Sequence, residues 1–322
     1  MYFSNKKNFF HGIMFHHFHD NNDHKKGQGS INKDDFYKLI KFIGKKNILS
    51  ADQFFIRYKE KKLTEKNVCL TFDDSLKCQY DIALPILEDL NIKSFFFIYS
   101  SIFNEKPDFL EVYRYFRMNY FLNIEEFYDL FFKKINNNLT NFFKENEKTI
   151  EIRKQKFPIY SINDIKFRLV RDELLSSEVY QKIMLEMFEQ KNFDPKDSYK
   201  LLFLNKENVV TLKKLGHLIG LHSHSHPTCL EKLSFEKQLD EYKKNLAMLS
   251  KILGCDKSEI KYMSHPSGSY NQSTLKILKD MGIELGFKQI MTVEPEKNME
   301  RVNNSFLEIA RQDHAEIMKM LR

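Results

Sequence analysis

The feature that most constrains this chain is an apolar run that ends in two acids and leads through a helix into a second apolar run. Val68-Cys69-Leu70-Thr71-Phe72 has the length and the β-branched, aromatic character of a buried strand, and it closes on Asp73-Asp74. A helical stretch over about 76–90 follows, then Phe95-Phe96-Phe97-Ile98 within the run 93–99. Strand, helix and strand in that order demand a parallel sheet with its helices outside, because parallel neighbours cannot be joined by a tight turn. The alternation returns later, with helix 209–215 capped near Asn205 and stopped by Gly216, strand 218–221, and a long amphipathic helix over 234–253 before Gly254. Strand 260–264, helix 272–281, extended pieces at 282–287 and 290–293, and a last strand at 306–310 ending on Arg311 complete it. Upstream, 12–18 reads as a first strand, and 32–43 sets Phe36, Leu39, Ile40 and Ile43 at helical spacing before Gly44. Residues 48–55 read as a short extended piece and then a helix capped by Ser50. This pattern predicts an α/β fold, a (β/α) barrel with its chemistry at the C-terminal ends of the strands.

Between the two alternating stretches the character changes. Residues 104–204 are without glycine, rich in Phe, Tyr, Asn and Lys, and helical in period at 121–132 and 174–188. The expectation is one catalytic domain, 1–103 with 205–322, interrupted by a helical insertion over 104–204. Clusters such as Phe127-Tyr128-Asp129-Leu130-Phe131-Phe132 read first as packing within the insertion. A pocket cover, a dimer contact or peripheral contact with a membrane surface are the functional alternatives.

The second chemical stretch is Gly220-Leu221-His222-Ser223-His224-Ser225-His226-Pro227, with three imidazoles in five residues at the end of an apolar strand. His222 and His226 are four apart, so a helical turn starting at His222 would bring both rings to one side, the arrangement of two metal ligands. Two histidines leave a shell incomplete, and a carboxylate is the usual hard partner in an open site. Asp73-Asp74 is the best source of it. An isolated H-x-H-x-H reads equally well as a solvated turn, but adjacent carboxylates ending an apolar strand are costly without a cation. His16, in Phe15-His16-His17-Phe18-His19-Asp20, ends the predicted first strand, either delivered to the same pocket or part of a plain histidine-rich strand end.

These motifs and their order resemble the polysaccharide deacetylases, carbohydrate esterase family four, also called the NodB-homology domain. Thr71-Phe72-Asp73-Asp74 is similar to that family's first motif and His222-Ser223-His224-Ser225-His226-Pro227 to its second. The likeness runs over 13–99 and 209–311, with the insertion outside it. It implies a deformed (β/α) barrel in which Asp74, His222 and His226 hold one divalent metal, usually zinc, with Asp73 as general base. The third motif departs from the common R-x-P-[YF]-G: here Ser264-His265-Pro266-Ser267-Gly268-Ser269-Tyr270-Asn271 has serine where arginine and the aromatic residue usually stand. Its ending resembles a branch that also lacks that arginine. The likeness to that branch makes Arg311 the candidate substitute holding Asp73, the alternative being a surface arginine. By the same analogy the backbone N–H of Ser267 is an oxyanion donor. The family's final L-x-H histidine has no clear counterpart, which leaves His16 as candidate acid, with His314 and His265 behind it.

The function implied is metal-dependent removal of an N-acyl group, acetyl first, from a carbohydrate, with a nucleotide- or lipid-linked sugar as the natural substrate. An O-ester or non-sugar amide deacylase is the alternative within enzymes, and a catalytically silent glycan-binding protein the alternative outside them. Composition narrows the partners. No run approaches the ~20 apolar residues of a membrane span, and no secretory signal is legible near the start, so the expected setting is the cytoplasm. The net charge of +7 is spread over lysines, with no basic block or motif for nucleic acid. Cys69, Cys78, Cys229 and Cys255 have no C-x-x-C spacing and read as scattered reduced thiols.

Overall fold

The computed structural model of the protein describes residues 9–27, 29–104, 109–135, 138–157, 160–289 and 303–321. Seven strands form one sheet: β1 (His11–Phe15), β2 (Val68–Phe72), β3 (Phe95–Ile98), β4 (Leu218–Leu221), β5 (Tyr262–Ser264), β6 (Leu285–Phe287) and β7 (Arg311–Asp313). Their order is β6-β5-β4-β3-β2-β1-β7, and every pairing is parallel. The sheet curls until its ends approach. Phe287 bridges Ile309, two residues before β7, and the Lys288 N–H donates to the Ile309 carbonyl, giving a nearly closed seven-stranded barrel.

Burial on both faces explains why the strands read as continuous apolar runs. Side chains of alternate residues point to opposite faces: Leu70, Phe72, Phe96 and Ile98 join the core beneath the helices, whereas Cys69, Phe95, Phe97 and Phe287 form a second cluster with Phe54. Gly220 in β4 is required by that second cluster. A Cβ there would lie 2.7 Å from the Phe97 ring and 2.7 Å from the Tyr262 carbonyl oxygen, inside any tolerable contact.

Helix boundaries follow local signals. Asn32 caps Lys33–Ile43 through its side chain, and Phe36, Leu39, Ile40 and Ile43 are the buried stripe. Ser234 caps Phe235–Leu253, which Gly254 ends in the left-handed region at φ 58°. Three predicted segments differ. The first strand stops at Phe15, so His16 lies just beyond it. The stretch after β2 opens as a π-helical turn, Gln79–Ala83, before the α-helix Leu84–Asp89. The last strand is Arg311–Asp313 rather than 306–310, so Arg311 begins it instead of ending it. The preceding residues turn instead, because Ser305 Oγ donates to Glu308 Oε2 at 2.8 Å and Asn303 Oδ1 accepts the Ala310 N–H at 2.8 Å. The predicted piece at 290–293 lies outside the described residues.

The chain divides into two compact units, Met1–Asp108 with Phe203–Arg322, and Phe109–Leu202. The second is helical, and it packs on its own aromatic residues. Phe127, Tyr128 and Phe131 are buried on one helix, with the Phe131 and Phe167 rings 4.9 Å apart and Phe116 and Phe188 4.7 Å apart. No helix among the described residues is long and apolar enough to cross a membrane.

Candidate active site

The ends of β2 and β4 converge as a parallel barrel requires, and the chain turns sharply after each. Asp74 and Ser75 have φ of 71° and 58°, and Ser223 and His226 have φ of 64° and 53°, a region that costs an L-residue energy unless its surroundings hold it there. His222 and His226 therefore meet across a bent loop and not on the predicted helical turn.

The result is a nearly equilateral triangle of donor atoms. His222 Nε2 lies 3.2 Å and His226 Nε2 3.1 Å from Asp74 Oδ1, and the two nitrogens are 3.1 Å apart. Asp74, His222 and His226 form the only such cluster of His, Cys, Asp and Glu among the described residues, and all three are buried. His222 Nδ1 is 2.9 Å from the Ser264 carbonyl, which can only accept, so the proton sits on Nδ1 and Nε2 offers a lone pair. Buried lone pairs and a carboxylate at this distance repel unless a cation lies among them. Bonds of about 2.0–2.1 Å in a tetrahedral shell separate ligand atoms by roughly 3.3 Å, close to the edges found, so this donor set fits a divalent metal.

Asp73 lies beside the triangle and is held apart from it. Arg311 Nη1 donates to its Oδ1 at 2.8 Å, Ser264 Oγ donates to its Oδ2 at 3.1 Å, and Oδ2 is 3.9 Å from His222 Nε2. Burial alone would raise the Asp73 carboxyl, but the Arg311 charge and the hydrogen bond it donates outweigh it and hold it below the usual range. His16 is 24% exposed, with Nε2 3.9 Å from Asp73 Oδ2 and 3.8 Å from Asp74 Oδ2, facing both acids from the solvent side. Gln79 in the π-turn donates to the carbonyls of His16 and Asp73, tying the β1 and β2 ends together.

Arg311 is 1% exposed, not a surface residue, and reaches Asp73 from β7, two strands away at the edge of the sheet. Ser267 has φ 52°, and its N–H makes no hydrogen bond among the described residues. The other two histidines considered as acids are engaged elsewhere. His265 Nε2 is 2.9 Å from the Leu307 carbonyl, its ring stacks on Tyr270, and burial pushes its pKa down to about 3. His314 Nδ1 and Nε2 lie 3.2 and 3.0 Å from the carbonyls of Met14 and Gly29. Ser264 is the residue the sequence undersold: it looks like the loss of an arginine, yet its hydroxyl holds Asp73 and its carbonyl holds His222. Its signal was its position, the last residue of an apolar strand and the first of the third motif.

The sequence profile of the family described as polysaccharide deacetylase matches residues 60–115 and 187–286, which carry Asp73, Asp74, His222 and His226. The chain belongs to the polysaccharide deacetylase family. Solved deacetylase structures share its fold. The Streptococcus pyogenes deacetylase PplD is 17% identical with a TM-score of 0.53, over 94% of this chain and 91% of that one. IcaB from Ammonifex degensii is 13% identical with a TM-score of 0.54, over 95% and 91%. The de-N-acetylase from Aggregatibacter actinomycetemcomitans is 13% identical with a TM-score of 0.52, over 94% of both chains. At these identities the likeness is one of fold. No curated protein sequence matches the chain.

Proposed function

We propose that this family member is a metal-dependent hydrolase that removes an N-acyl group, acetyl first, from a carbohydrate. The observation that carries the reading is a buried carboxylate, Asp73, fastened by Arg311 and Ser264 beside a triangle of metal-ligand atoms without joining it. A pure binding protein has no use for a fixed base there. A divalent ion held by Asp74, His222 and His226, zinc being well suited to this donor set, would supply a Lewis acid for the carbonyl and lower the pKa of water to about 7.

Asp73 is the base that takes the water's proton; its lowered pKa keeps it ionised at neutral pH. Arg311 and Ser264 fix its two oxygens so that little reorganisation accompanies the transfer. The Ser267 N–H donates to the oxygen that gains charge, an effect of ~3 kcal/mol for one such donor. His16, on the exposed side of the acids, delivers a proton to the leaving amine. A nucleotide- or lipid-linked sugar in a cytoplasmic setting belongs to the same proposal, which rests there on the sequence alone.

The test is acetate release from soluble N-acetylated nucleotide-sugars by zinc-loaded protein, with chelated protein as control. Asp73→Asn nearly abolishes release with metal content retained, and His222→Ala loses both. An Asp73→Asn protein that released acetate at the wild-type rate would remove Asp73 from the role of base.

A further inference from the structure

The loop between the two histidine ligands is held largely by residues outside it. One helix, Phe235–Leu253, reaches it with two polar side chains four residues apart, hence on the same face. Glu241 Oε2 accepts the backbone N–H of His224 at 2.9 Å and of Ser225 at 2.8 Å, and Glu241 Oε1 accepts the Ser225 hydroxyl at 2.8 Å. Asn245 is wholly buried; its Oδ1 accepts the His222 N–H at 3.0 Å and its Nδ2 donates to the Ile98 carbonyl at the end of β3 at 2.9 Å. Within the loop, Ser223 Oγ accepts the His226 N–H at 3.1 Å. A loop with two left-handed non-glycine residues persists only when its surroundings over-determine it.

We infer that Glu241 and Asn245 are positioning residues for the metal site, a two-point clamp that sets the spacing of His222 and His226 and hence the affinity for a divalent ion. The inference rests on Asp74, His222 and His226 being the ligands. Asn245 holds the start of the loop against β3, and Glu241 holds its middle. Charge-assisted bonds from a carboxylate to backbone N–H groups are among the stronger hydrogen bonds a protein makes. Losing them lets Ser223 and His226 relax and the Nε2 atoms part.

The experiment is chelator-competition titration of the purified chain with Zn2+, together with the visible spectrum of bound Co2+. Glu241→Ala weakens Zn2+ binding by about 10–100-fold, in line with other residues that orient metal ligands, and alters the Co2+ spectrum. Leu249→Ala, which removes a fully buried side chain from the same helix, lowers Tm and leaves the affinity within about 2-fold. Where Glu241→Ala does not fold, Glu241→Gln keeps the shape and one carbonyl oxygen and still costs at least ~3-fold. Wild-type affinity in the Glu241 variants, or an equal loss in Leu249→Ala, overturns the clamp. A parent chain that takes up neither ion overturns the ligand assignment instead.

Discussion

Asp73 in the barrel and Asp164 in the helical unit are both buried aspartates paired with arginine, and their surroundings differ in kind. Asp164 sits in the first turn of helix Ile162–Leu169, with regular backbone around it. Tyr128 donates to its Oδ1 at 3.1 Å, Arg168 Nε donates to its Oδ2 at 3.0 Å, and Arg117 Nη1 is 3.6 Å away. Asp73 ends a strand, its neighbours Asp74 and Ser75 are left-handed, and its Oδ2 faces the imidazoles of His16 and His222 at 3.9 Å. Of the eight non-glycine residues with positive φ among the described residues, Asp74, Ser75, Ser223, His226 and Ser267 are in the site loops, and Asn192 alone is in the helical unit. A buried ion pair by itself is therefore a structural device. What marks chemistry is a charge held on one side and left open on the other, in backbone that is strained to aim it.

The largest effect that tests this contrast is on turnover. Asp73→Asn lowers acetate release by about 10²–10⁴-fold, the range expected for loss of a general base, with metal content kept. Asp164→Asn leaves kcat unchanged. A comparable fall in kcat for Asp164→Asn would break the comparison outright.

Stability comes next. Arg311→Met leaves the Asp73 charge buried without its strongest partner and costs about 3–5 kcal/mol in urea unfolding. Asp164→Asn strips a charge from the bonds of Arg168 and Tyr128 and costs less, about 2 kcal/mol, because both arginines there retain some contact with solvent.

Acid should separate the regions. Burial pushes His11 and His217 down to about 4, against a smaller upward pull from the Phe9 carbonyl on the first and from Glu88 on the second, and pushes His265 to about 3. In the unfolded chain these rings titrate near 6.5, so the unfolded state binds protons that the folded barrel excludes. The barrel is therefore fully stable above pH 6.5 and weakens as the pH falls towards 4 and then 3. At Asp164 burial would raise the carboxyl, but Arg168 and Arg117 outweigh it and lower it below 3.8. That contribution is present above 3.8 and disappears only as the pH falls through the lower folded value. Hydrogen exchange across pH 7 to 4 should show the barrel strands losing protection before helix Ile162–Leu169; the reverse order would contradict the assignment. The smallest effect sharpens the same point: Tyr128→Phe removes one hydrogen bond to Asp164, costing about 1 kcal/mol of stability with kcat unchanged.

Much of this molecule was determined locally. The stripe Phe36, Leu39, Ile40 and Ile43, the caps Asn32 and Ser234, and the stop at Gly254 each depend on residues within a turn or two, so the helices they define could be read from spacing alone. The same holds for apolar runs ending in Asp73-Asp74 and in His222, because a parallel strand buried on both faces has little freedom in composition. Tertiary structure decided how those ends meet. Arg311 reaches Asp73 across 238 residues of sequence, and Ser264 joins Asp73 to His222 from a third strand. The histidine pair was legible as a pair, but its geometry was not: the turn that the spacing suggested is replaced by a bent loop that Glu241 and Asn245 hold from a separate helix. Periodicity reports which face of an element is buried. Which atoms face each other across a closing barrel depends on register and curl, and those are settled only when the strands pack.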